Sequence, residues 1–282
     1  MMRYSVLIII LFTFLIIGCT PKPIDIQVDS APSKMVVFSH AIPNNIIIVS
    51  LTKSFSALDG IKEDNYETML LSGATVQVTV DGQVYDFYEL NPGFYASYTS
   101  VIGNANSFEL QAIHQGDTIT SKTSTSKPVY FDNIIPIVDK GVSDTTVSLK
   151  LNFTDDLSEE NFYMINVYRK NESNDSEFDN VNYFGNGSNL LERTILLSDL
   201  EFNSKYDEKI VFDGLKHDDS IAVTLSNISK NYYNYLVLRN ESGSLYNQLN
   251  LEPLNYPTNV VNGYGFFNAH IPDIYFDDLS LY

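Results

Sequence analysis

Few residues in this chain combine the type and the spacing that chemistry needs. The four histidines, His40, His114, His217 and His270, are scattered, and none has a partner at metal-ligand spacing. His114 falls in a strand-like stretch, where a structural role is the simpler reading. Acidic clusters stand at Asp155-Asp156, Glu159-Glu160, Asp218-Asp219 and Asp277-Asp278. Their oxygens suit Ca²⁺, but none follows the Asp-x-Asp-x-Asp-Gly order of a dedicated loop, so solvated turns are the plainer reading. The sequence has no Gly-rich phosphate loop, no Gly-x-Ser-x-Gly elbow and no His-Glu-x-x-His helix. No catalytic residue, metal or cofactor is expected, and the chain is read as a binding protein, not an enzyme.

The reactive group with a defined setting is the thiol of Cys19, the only cysteine. Arg3 opens the chain, an apolar run from Val6 to Ile17 follows, and Gly18-Cys19 closes it. A basic start, a short apolar core and a small residue before the cut make a secretory signal. The run is shorter than the roughly 20 apolar residues of a membrane span. Leu15-Ile16-Ile17-Gly18-Cys19 resembles a bacterial lipobox, whose cysteine thiol takes up diacylglycerol before cleavage. The other reading is a simple cleaved signal that leaves a buried thiol, and no disulfide is available to either. The expected division is therefore a signal over 1–18 and a lipid tether over 19–34. Thr20-Pro21-Lys22-Pro23 keeps that tether extended.

Charge narrows the partners. With 17 Lys+Arg against 35 Asp+Glu the net charge is −18, and it becomes one unit more negative once Arg3 leaves with the signal. Such a surface repels phosphate backbones and anionic head groups alike. Nucleic acid is excluded as a partner, and acyl chains must do the anchoring.

The elements that would carry any binding site read as strands. Ala74 to Val80 alternates around Val76, Val78 and Val80, and Asp81-Gly82 predicts a hairpin into Val84–Tyr88. Asn91-Pro92-Gly93 turns again, Gly93 with a positive φ and Tyr95 packed on the sheet. Ser107–His114, Gln115-Gly116-Asp117 and Thr118–Thr120 continue the pattern, which suggests a β-sandwich. Lys127 to Gly141 reads as a crossing. Thr146–Phe153, Asn161–Tyr168 and Ser220–Leu225 begin a second β region, and Ser229 caps a short helix with Tyr232, Tyr235, Leu236 and Arg239 at helical spacing. The expected architecture is mainly β, with two β-sandwich-like domains over 35–138 and 144–282 and one short helix in the second. The polar stretch 171–189 reads as a long loop.

Two resemblances rest on longer stretches. "SGATVQVTVDG", "ELNPGFYAS" and "SFELQAIHQGDTITS" resemble transthyretin-like sandwiches of exported bacterial proteins. "LSDLEFNSKYDEKIVF" at 197–212 and "LEPLNYPTNVVNGYGFFNAH" at 251–270 resemble the DUF4249 family of Bacteroidetes envelope lipoproteins. The matching residues are Ser198, Asp199, Phe202 and Asn203, then Glu252-Pro253, Thr258-Asn259-Val260, Asn262-Gly263, Gly265 and Phe267. Ser204 and Asn268 stand where the family usually has glycine, and Thr258 where it has serine. The resemblance implies an outer-membrane lipoprotein, held through lipid (palmitate among its acyl chains) on Cys19. It further implies an accessory role beside a TonB-dependent receptor in nutrient uptake. A structural or adhesive surface lipoprotein is the alternative, and the membrane face is open.

The aromatic residues leave two readings as well. Exposed, they could stack on sugars or grip a protein; buried, they are core. The expected contact residues are Tyr183, Phe184, Tyr264 and Phe266. Gly263 and Gly265 around Tyr264 permit a tight turn, which either closes the second sandwich or presents a ring to a partner.

Overall fold

The computed structural model describes residues 32–42, 47–54, 67–97, 106–142, 144–170, 191–217, 219–242 and 256–282. Cys19, the signal segment, Tyr183 and Phe184 lie outside the described residues.

Turn chemistry and alternation build the first module. Strands β1 (Met35–Ala41), β2 (Ile48–Lys53), β3 (Thr75–Val80), β4 (Gln83–Asn91), β5 (Phe94–Ala96), β6 (Ser107–His114) and β7 (Asp117–Ser124) follow one another. Asp81 and Gly82 both take positive φ, 45° and 88°, so Val80 pairs with Gln83 across the two-residue hairpin that the Asp-Gly pair predicts. Gln115 and Gly116 repeat the device between β6 and β7. Gly93 has φ 77°, and a side chain there would meet Leu51 O at 2.8 Å. Tyr95 is buried and its hydroxyl donates to Leu71 O at 2.6 Å while accepting from Ala74 N at 2.9 Å. It ties β5 to the segment that leads into β3.

The second module is a sandwich of three strands on four. β8 (Phe131–Lys140), β9 (Thr145–Thr154) and β12 (Lys205–Leu215) form one sheet in the order β12-β9-β8. β10 (Phe162–Lys170), β11 (Leu191–Ser198), β13 (Ser220–Ile228) and β16 (Asp273–Asp278) form the other, in the order β11-β10-β13-β16. β9 is plain in the sequence: Val147, Leu149, Leu151 and Phe153 are all buried, and the residues between them are not. Between the sheets these side chains meet Tyr163, Ile165, Val167, Ile210, Phe212, Val223 and Leu225.

Two expectations need correction. The stretch read as a crossing is strand β8, paired with β9 along its length. Pro136 sits in it without breaking the sheet because β8 is an edge strand and one side of it needs no donor. The division at 138/144 also fails to follow the sheets. After β13 the chain forms helix α1 (Lys230–Ser242), then β14 (Val260–Val261) and β15 (Tyr264–Ala269), and only then returns as β16. β14 pairs with β7 and β15 runs parallel to β1, so both belong to the first module. The first sheet thus reads β14-β7-β6-β3-β4-β5-β2-β1-β15, and Ser33–Tyr282 is one compact unit. The fold is mainly β with one helix among the described residues, as expected, and the chain passes between the two modules more than once.

Helix α1 forms where the Ser229 cap predicts it. Ser229 Oγ accepts from Tyr232 N at 3.3 Å, and Ser229 O accepts from Tyr233 N at 2.9 Å. Its buried face, Tyr232, Tyr235 and Leu236, packs with Phe162 and Met164 of β10, Ile228 and Phe266, with Phe38 alongside. This aromatic seam joins the modules.

Candidate functional site

Three places gather the polar groups from which a site could be built: the segment 256–270, the seam, and a cleft at one end of the second sandwich.

In the first, each motif residue has a backbone task. The last strand of the nine, β15, begins two residues after β14, the first, so the sheet curls round on itself. Asn259 stitches the closure: Nδ2 donates to Phe267 O at 2.7 Å and Lys122 O at 3.2 Å, and Oδ1 accepts from Phe267 N at 3.0 Å. One side chain therefore bridges β7 and β15 as a strand would. Thr258 Oγ1 donates to Gly265 O at 2.7 Å and accepts from Val260 N at 3.1 Å. Asn262 takes a left-handed φ of 62°. Gly263 lies so close to β1 that a Cβ would sit 2.7 Å from Met35 O. The turn closes a sandwich, but the first and not the second.

The expected contact residues separate here. Tyr264 is 47% exposed, with Lys34 Nζ 5.2 Å from its ring centre. Phe266 shares its face of the strand but is buried, its ring 5.1 Å from that of Tyr232 and 5.4 Å from that of Tyr235. It is a seam residue and presents nothing to a partner, because α1 covers the strand at that point.

The seam also holds two histidines from opposite ends of the chain. The His40 and His270 rings meet edge to face at 5.6 Å, and the Tyr232 hydroxyl lies 3.1 Å from His40 Nε2. Burial, the neighbouring His270 and the Arg239 charge push His40 down to about 3; burial pushes His270 down to about 4. Both are neutral at ordinary pH. Asn268 Nδ2 lies 3.0 Å from His270 Nδ1. No sequence signal pairs these residues.

The cleft lies where the chain enters β8. Its volume is about 260 Å³, and Lys127, Tyr130, Asp132, Asp155, Asp156, Asn161, Tyr163 and Asn227 are among its walls. Asp155 is 7% exposed, so the solvated-turn reading fails for it. Its Oδ1 accepts from the Tyr163 hydroxyl and from Asn161 Nδ2 at 3.2 Å. Asn161 Oδ1 in turn accepts from Asn227 Nδ2 at 2.9 Å. Burial, then the bond to Asp155, raises Tyr163 well above the ordinary phenol range, so the hydroxyl stays a donor. Asp156, at the rim, pairs with Lys127 and accepts from Ser158 N, which holds its carboxyl well below the usual range.

The motif at 198–204 supports this corner. Asn161 N donates to Asp199 Oδ2 at 2.9 Å, and Asp199 N donates to Asn161 O at 3.1 Å. Phe202 packs on Phe153, Tyr163 and Tyr206. Ser204 adopts φ 56°, a conformation that glycine takes more readily, and its carbonyl accepts from Asp155 N at 2.8 Å.

Among the described residues no three His, Cys, Asp or Glu side chains converge to hold a metal, and no helix is long and apolar enough to cross a membrane. Asp219 and Asp277, like Asp155, are buried; Asp219 Oδ2 accepts from Lys216 N, and Asp277 accepts from the hydroxyls of Tyr275 and Tyr282.

A family model described as "Domain of unknown function (DUF4249)" matches residues 21–271. No curated protein matches the chain. Among solved structures, the Fcho1 Mu homology domain of Danio rerio with bound Eps15 peptide is similar at 9% identity. That match covers 87% of this chain and 95% of that one, with a TM-score of 0.23.

Proposed function

The chain belongs to the DUF4249 family, and from that premise we propose that it is an outer-membrane lipoprotein that binds beside a TonB-dependent receptor in nutrient uptake. The observation that carries the reading is the lipobox-like run ending at Cys19, the single cysteine. A lipid there would hold an acidic body at a membrane that its charge alone repels. The body acts by contact and not by catalysis. Its exposed apolar side chains are available for that contact: Ile274 and Phe276, 63% and 61% exposed, lie on the same face of the edge strand β16. Tyr264 is a further exposed ring on the first module. A pair of large apolar groups on an open strand edge is a feature that soluble proteins usually blunt, and it favours a partner.

Recovery from detergent-solubilised envelopes tests this. Wild-type protein is expected to bring down a TonB-dependent receptor, and the Phe276→Ser/Tyr264→Ala double variant to recover at least tenfold less. The melting temperature should move by no more than a few degrees, since exposed substitutions usually stay within about 0.5 kcal/mol each. Recovery of no receptor by the wild type, under conditions that keep other receptor–lipoprotein pairs intact, would contradict the accessory role. It would favour a structural or adhesive surface protein.

A further inference from the structure

We propose that the cleft at the entry of β8 is a binding site for a small organic cation, an alkylammonium or guanidinium group. The inference stands on the cleft alone and does not depend on a receptor.

The cleft holds an unbalanced charge. Asp155 is more than nine-tenths buried, yet no cationic group among the described residues pairs with it. Its Oδ1 is held by Tyr163 and Asn161. Its Oδ2 makes no hydrogen bond among the described residues, and Asp155 is one of the walls of the cleft. A buried carboxylate with one free oxygen is costly unless a positive group reaches it.

The surroundings make the same demand. Asn161 Nδ2, with two hydrogens, faces three acceptors: Asp155 Oδ1, Asp156 O at 2.9 Å and Glu159 O at 3.1 Å. Acceptors are therefore in surplus on this wall, and what is missing is a donor. Asp132 adds a further carboxylate, already serving Thr154 Oγ1 at 2.7 Å. Lys127 offsets Asp156 at the rim and shows that an ammonium fits this edge. It leaves the floor charge uncompensated.

Shape and field select the ligand. About 260 Å³ is below the roughly 300–1,000 Å³ of pockets for drug-sized molecules, and suits one side chain or a small amine. Tyr130, 62% exposed, is among the residues that line the cleft, and an aromatic ring there can attract a cation. A chain of net charge −18 concentrates cations and repels anions. Metal ions are disfavoured because the carboxylates do not converge.

Titration calorimetry of the full mature protein in detergent is the test, with agmatine, amidated Gly-Lys-Gly and, as the uncharged control, amidated Gly-norleucine-Gly with an acetylated N-terminus. The lysine peptide carries the same acetyl group. Saturable binding of agmatine or the lysine peptide is expected, weakening as salt rises, with none for the norleucine peptide. Binding of agmatine alone would identify a free amine as the natural source; binding of both would identify a protein side chain as an equal candidate. Asp155→Asn, which retains acceptors for Tyr163 and Asn161, should lower affinity at least tenfold at near-native melting temperature. If that variant does not fold, Tyr130→Ala, an exposed change, should still weaken binding severalfold. No binding of either cation at millimolar concentration would overturn the proposal. So would equal binding of the norleucine peptide, or binding unchanged in folded Asp155→Asn, or in Tyr130→Ala where that variant replaces it.

Discussion

Gly265→Ala is expected to lose at least about 4 kcal/mol of folding stability, or to fail to accumulate as folded protein. A Cβ at this position would lie 1.9 Å from Val37 O, 2.8 Å from Val37 C and 2.9 Å from Val37 N. These are backbone atoms of the strand paired with it, so no side chain can swing aside. The φ of 97° adds its own strain. Relief requires β15 to leave β1, which would unseat Phe267 from the core of the first module and break the Asn259 closure. Gly214→Ala is the control: its φ is also positive, at 65°, but nothing lies within 4 Å of the added carbon. It should cost only about 1 kcal/mol. Urea unfolding of both separates steric overlap from backbone strain, and equal losses would show that β15 does not press on β1.

Acid should destabilise the seam from about pH 6.5 downward, above the range in which carboxylates ordinarily titrate. His40 and His270 sit at about 3 and about 4 in the folded protein, against about 6.5 for free histidine. Both folded values are depressed, so the neutral rings favour the folded state fully above pH 6.5. As pH falls from there toward 4, the unfolded chain takes up protons that the folded chain refuses. Each histidine then removes on the order of 1 kcal/mol of stability per pH unit. The groups that face them reinforce this: Arg239 opposes a charge on His40, and Asn268 Nδ2, a donor, opposes a proton on His270 Nδ1. Unfolding free energies across pH 7 to 4.5 should fall steeply, and His270→Gln should flatten part of that slope. An identical slope in the variant would mean that His270 does not stay neutral in the fold.

Legibility in the sequence followed the range of the interactions. The Asp81-Gly82 hairpin, the Gly93 turn, alternating β9 and the Ser229 cap depend on neighbours a few residues away, and all were readable. Tyr95 was readable only through its place after the Gly93 turn, since its hydroxyl partners Leu71 and Ala74 lie 24 and 21 residues away. β8 was hidden because Ile134 to Val138 is apolar on both faces and carries Pro136, which removes the period-two signal of a half-buried strand. The placing of β15 was hidden for a different reason. Its partner β1 lies at the other end of the chain, and a parallel pairing leaves no turn between the two to betray it. Tyr264 and Phe266 look equivalent in sequence because they share a strand face; only the position of α1 buries one and leaves the other out. The cleft draws on the entry to β8, the end of β9, the start of β10 and the end of β13. In the sequence it showed only as an acidic pair at Asp155-Asp156, with nothing to mark which of the two is buried.

Intact-mass and peptide mass spectrometry of the protein from its native envelope measures the proposed membrane anchor directly. The expected N-terminal peptide begins at Cys19 and carries a thioether-linked diacylglycerol, with a further acyl chain on the amine where the host adds one. Cys19→Ala should move the protein into the soluble fraction after a carbonate wash. A mature protein that begins at another residue, or one that retains an unmodified Cys19 thiol, would contradict it.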